Sequence, residues 1–192
     1  DVLDRAEKEL GKTYPVRTKR LQLALGKPAE EAKPLIAELE LNLDELKDNE
    51  RIALTEELGF AYYRLRDYEN AKRLLTTVAL SAPEDAKHWQ VLFDMAREFN
   101  SEADMDATIE NIRKHRGPNS TLMSVCKARK ILWQVQNQAA DPSELARAKE
   151  FVEDARKIRP QLFVIAQAAG EIAEQEGKVE DAIGHFRRSL EL

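Results

Sequence analysis

The chain is short of residues that break helices. Gly 7 and Pro 7 are spread over 192 positions, which argues against long structureless connections. A single cysteine, Cys126, cannot close an internal disulfide, so no covalent staple is available and the compartment stays open. Aromatic residues make up only 6%. No apolar run approaches the ~18 residues of a membrane-spanning helix, and the amino end carries no signal-peptide pattern. Strictly alternating β-branched stretches and hairpin turn pairs are also missing, which argues against a sheet.

What remains is dominated by Ala, Leu, Glu, Lys and Arg, all strong helix formers. Hydrophobic residues are 43% and charged residues 34%, the latter above the usual quarter. That balance suits a helical body with much surface per residue. A formal charge of -5 weighs against a dedicated nucleic-acid binder, although it leaves a local basic face possible. The chain opens at Asp1 and stops at Leu192 inside a helical pattern, and the expectation is a piece of a longer protein.

Apolar period and punctuation predict helices over roughly 1–10, 16–25, 29–42, 50–65, 68–81, 85–98, 104–115, 120–139, 142–158, 161–176 and 179–191. Asp141 is expected to cap the helix that follows it, with Pro142 at its first position, and Ser120 to cap the helix running to Ala139. Pro83 and Pro160 each end a helix, because proline lacks the N–H and clashes with the preceding turn. Loops this short make neighbours antiparallel.

Self-comparison shows a repeat. Gly59 to Gly170 and Ala71 to Ala182 are both 111 residues apart, and Ala107 and Ala148 lie between, giving steps of 36, 41 and 34. Pro83, Pro118 and Pro160 step by 35 and 42. Periods in this range belong to two-helix solenoids. Gly59 and Ala71 are expected to face each other at the tightest crossing, with Leu75 and Phe186 filling the space beside such contacts.

The segment 52–85 resembles a tetratricopeptide repeat, with Leu58, Gly59, Tyr62, Ala71 and Pro83 on signature places. The next unit, 86–119, supplies Trp89 but has Phe93 where glycine is expected, and Ala107 comes two residues late, implying a longer internal turn. Ala148, Ala155 and Pro160 mark the unit 120–162, whose first helix is overlong; Gly170, Ala182 and Phe186 mark 163–192. Residues 1–51 form a degenerate repeat region. The resemblance implies one all-α array over 1–192, a right-handed α-solenoid of antiparallel helix pairs, acting as a protein-interaction scaffold and not as an enzyme. The alternatives are a structural spacer within a larger protein and a basic module for nucleic acid.

No catalytic, cofactor or metal constellation stands out. Gly11-Lys12-Thr13 lacks the glycine-rich run of a phosphate loop. His88, His115 and His185 fall in separate units without cysteine partners, and zinc needs three or four converging ligands. Cys126, among Leu122, Met123 and Val125, is expected to be buried. From Asn111 to Ala140 there is no acid, while Arg113, Lys114, Arg116, Lys127, Arg129 and Lys130 give six positive charges, a pattern suited to steering an acidic partner.

In the resembled family the inner face of the first helices holds a peptide. Carried over, that face is Ala53, Glu56, Phe60 and Tyr63 in one unit, Lys87, Gln90, Asp94 and Arg97 in the next, then Lys130, Trp133, Asn137 and Ala140, the last set uncertain by about a residue. Phe60, Tyr63 and Trp133 are the expected anchors, because rings carry much of the energy in typical interfaces. Arg97 and Lys130 are expected to hold an acidic group, with the partner a protein or peptide and nucleic acid less favoured.

Overall fold

A computed structural model describes residues 2–192. Among them are eleven α-helices and no strand: α1 Val2–Leu10, α2 Tyr14–Ala24, α3 Ala29–Glu40, α4 Asp48–Arg64, α5 Tyr68–Ser81, α6 Ala86–Glu98, α7 Glu102–Arg116, α8 Thr121–Gln136, α9 Leu145–Ile158, α10 Phe163–Gln175 and α11 Val179–Glu191. Short 3₁₀ turns cover Leu43–Glu45 and Pro142–Glu144. The fold is an α-solenoid of antiparallel helix pairs. It divides into two compact units, one ending at His88 and the other starting at Trp89.

In the first unit α2 pairs with α3 and α4 with α5, and the first helices α2 and α4 pack as neighbours. Tyr14 and Thr18 of α2 both donate to the Glu57 carboxylate of α4, at 2.7 and 3.0 Å. Leu54, Leu58, Ala71 and Leu75 are fully covered. Arg17, 2% exposed, donates to the carbonyls of Lys12, Leu39, Leu41 and Asn42. It closes the carboxyl end of α3, where unsatisfied carbonyls and the helix dipole favour a cation.

In the second unit α8 pairs with α9 and α10 with α11, and α8 packs on α10. Their shared core includes Val125, Leu132, Ala148, Val152, Ile165 and Ile172. Trp89 of α6 stacks on His115 of α7, ring centroids 6.0 Å apart.

The loops inside the pairs repeat one device. Arg66, Asn100, Gln138 and Gly177 each adopt positive φ, at 58°, 56°, 58° and 75°. The next residue in each case donates back five residues, Asp67 to Tyr62, Ser101 to Ala96, Ala139 to Gln134 and Lys178 to Ala173. This is the Schellman closure, usually built on glycine because a side chain crowds the left-handed region. Asp67 and Ser101 then cap α5 and α7, accepting from Asn70 N and Asp104 N. Asp141 accepts from Ser143 N, whereas Ser120 makes no side-chain cap bond.

Two details differ from the sequence expectation. A Cβ on Gly59 would sit 2.8 Å from Leu75 Cγ, and one on Gly170 would sit 2.7 Å from Phe186 Cε1. Each glycine is therefore the seat of the large residue sixteen positions on, and not the partner of Ala71. Ala107 is exposed, while Met105 is buried. Ser101 caps α7 thirty-four residues after Asp67 caps α5, so Met105 takes the place of Ala71 and the turn is not lengthened.

Candidate partner-binding face

On α4, Phe60 and Tyr63 are half-buried, one turn apart, and Glu56 lies one turn before them. Lys87 reaches back to Glu56 at 2.6 Å and places its ammonium 5.7 Å from the centre of the Phe60 ring, within cation–π range. The hydrogen bond from Lys87, joined by the neighbouring His88, holds the Glu56 carboxyl below its ordinary value despite partial burial. His88 is buried, its Nε2 3.2 Å from Glu56 and its Nδ1 3.6 Å from Asp85. The first unit thus presents two incompletely covered rings beside an anchored ion pair.

The second unit treats the corresponding row differently. Counting back from the closing residues Arg66, Asn100, Gln138 and Gly177, the counterparts of Phe60 are Asp94, Leu132 and Glu171. Leu132 is fully buried. One turn before it, Arg129 crosses the row: its Nε and Nη2 grip Glu171 at 3.0 and 2.9 Å, and its Nη1 donates to Asp94. Arg97 reaches Glu171 at 3.4 Å. Two guanidiniums and two carboxylates from α6, α8 and α10 form one neutral network.

Burial shapes the titration of this network. Asp94 keeps 39% of its side-chain exposure, yet protein around the carboxylate raises its pKa, outweighing the attraction of Arg129 and Arg97. Burial lowers the pKa of Arg97, and the like charge of Arg129 adds to that. For Arg129 burial acts downward too, but the Glu171 hydrogen bonds and both carboxylate charges carry it upward.

Lys130, Trp133 and Asn137 do not join this row. Lys130 binds Asp106 and Glu102 of α7 at 2.6 and 3.1 Å, and Trp133 Nε1 donates to Asn100 Oδ1 at 3.1 Å. Asn137 turns back to the Trp133 carbonyl. The closing residue Gln138 sets the inner row of α8 as Val125, Ala128, Leu132 and Val135, five residues earlier than the sequence placed it. Five residues rotate a helix by about 140°, which aims Lys130 and Trp133 at α7.

The structure brings Phe60, Tyr63 and Lys87 together on one unit and Asp94 with Arg97 on the other. Arg129 and Glu171 are the residues that the sequence reading missed. The 111-residue step from Gly59 to Gly170 does map Phe60 onto Glu171, so one of them had a signal. Of the six cations between Asn111 and Ala140, Arg113 pairs with Glu110, Arg129 with Asp94 and Glu171, and Lys130 with Glu102 and Asp106. Cys126 is buried, and burial raises its pKa. No helix among the described residues is long and apolar enough to cross a membrane.

No protein-family model matches the chain, and no curated protein matches its sequence. Solved structures are similar in fold. The MamA RS-1 ArsTM double mutant superposes with a TM-score of 0.50 at 14% identity, covering 93% of this chain and 93% of that one. BtubC from P. vanneervenii gives 0.49 at 15% identity over 93% of this chain and 76% of that one. MamA AMB-1 gives 0.45 at 19% identity over 92% and 88%. MamA is TPR-like, and at these identities the likeness bears on the fold alone.

Proposed function

We propose that the chain is a protein-interaction scaffold that takes a peptide segment of its partner on the α4 side of the first unit. The carrying observation is the pair of half-buried rings, Phe60 and Tyr63, one turn apart beside the Glu56–Lys87 ion pair. Aromatic side chains held on a rigid helix bury large area with little loss of freedom, which makes them efficient anchors. An apolar side chain of the peptide would cover the rings, while Lys87 and Glu56 offer a polar rim. In the second unit Asp94, Arg97, Lys130 and Trp133 already have intramolecular partners, which any ligand group would have to displace. A nucleic-acid face gains no support from Arg113, Arg129 and Lys130, whose charges are matched by carboxylates.

Peptides selected from a random display library on the parent protein provide the probe. Their affinity is then measured for Phe60→Ala, Tyr63→Ala and Trp133→Ala, with helicity and thermal midpoint checked. Loss of more than about tenfold is expected at Phe60 and Tyr63, the range of interface hot spots, and less than about twofold at Trp133. Folded Phe60→Ala and Tyr63→Ala proteins that both bind within twofold of the parent would overturn the reading.

A further inference from the structure

The last helix carries a second, unrelated surface. On α11, Val179 is 63%, Ile183 45% and Leu190 88% exposed, and Phe186 is half-buried where its ring covers Gly170. Their spacing of four, three and four residues puts them on one stripe, at about 100° per residue. Alternating fours and threes are the seam of a paired helix. Only Ala182 of α11 is buried, so the stripe lies beside the packed edge and not in it.

The stripe is symmetric about its own centre. Turning a second copy antiparallel sets Val179 against Leu190 and Ile183 against Phe186, twice over. Charge decides the direction. Glu180 and Arg187, both exposed, flank the stripe on the same side, 70–90° round by the same ~100° step. In the antiparallel arrangement each Glu180 meets the Arg187 of the other copy, whereas a parallel arrangement leaves both without an opposite charge. We propose that α11 is a self-association surface, on which two copies of this chain pair antiparallel through a two-fold axis. The stripe offers on the order of 400 Å² per copy, under the ~1,200 Å² total of a stable interface, so the dimer is weak and depends on concentration.

Sedimentation velocity between about 10 μM and 1 mM, the range in which a small interface associates, provides the test. The parent should pass from monomer to dimer. Ile183→Lys, at an exposed position, should weaken association more than tenfold with helicity unchanged. Glu180→Arg and Arg187→Glu should each weaken it about fivefold, and the double swap should restore it. A parent that stays monomeric at 1 mM would overturn the proposal. So would a dimer indifferent to Ile183→Lys, which would be formed elsewhere, or a double swap no better than the single ones, which would exclude the antiparallel register.

Discussion

Removing Arg129 should destabilise the second unit more than any exposed charge would. Its side chain is 8% exposed and that of Glu171 17%, and the two form a bidentate fork. Breaking a buried pair from one side costs about 3–5 kcal/mol, because the remaining charge has lost both water and partner. Two features reduce this figure. Arg97 stands 3.4 Å from Glu171 and can take over part of the pairing, and Asp94, 39% exposed, can rehydrate. The expected cost of Arg129→Met is therefore about 2–4 kcal/mol. Replacing both partners by apolar groups removes the stranded charge, so Arg129→Met with Glu171→Met should recover most of the loss and leave Asp94 facing Arg97. Both tryptophans, Trp89 and Trp133, belong to the second unit, so urea unfolding followed by their fluorescence reads that unit. A cost under about 1 kcal/mol for Arg129→Met, or a double variant as unstable as the summed singles, would refute the buried network.

Gly59→Ala and Gly170→Ala each drive a Cβ to within 2.8 Å of the residue seated there, and each should cost about 1–3 kcal/mol in urea titrations followed by circular dichroism. Gln138→Gly should stabilise by about 0.5–1 kcal/mol, since its φ of 58° strains a side chain and suits glycine; a lowered midpoint would contradict the closure described. Glu56 has a depressed pKa, so its stabilising contribution is present above the ordinary carboxylate value and fades as pH falls through the lowered one. The midpoint gap between the parent and Glu56→Gln should be constant from neutral pH down to about 5 and close on further acidification.

Helix positions were legible because punctuation and period agree: Pro83, Pro160 and Gly177 stop what the apolar spacing starts. The small residue in the first helix was legible too, through the 111-residue step between Gly59 and Gly170. Its partner was not, because sequence spacing does not say which side chain of the second helix enters the gap. Ala107 misled for a related reason. An alanine matched the motif by type, while the cap at Ser101 fixed the register and put Met105 inside. On α8 the error grew, since the closing residues step by 34, then 38, then 39, and one fixed period cannot place a row on all four first helices. Arg17 and Arg129 carried no local signal at all. Their partners lie 22 to 42 residues away, except for Lys12, and only the packed helices bring them near.

The same contacts bear on where a partner can be held. Side chains already paired inside a protein offer a ligand only an exchange of partners, and exchange adds little net affinity to the burial it requires. In the second unit the counterparts of Phe60 are Asp94, Leu132 and Glu171, of which one is fully buried and the other two are bound by Arg129. In the first unit the same place holds a ring whose printed neighbour is the Lys87 ammonium at 5.7 Å, an attraction that a covering apolar group would keep and strengthen by excluding water. The row that is continuous in sequence therefore does two jobs. It locks three helices together in the second unit, and it leaves apolar surface to cover in the first.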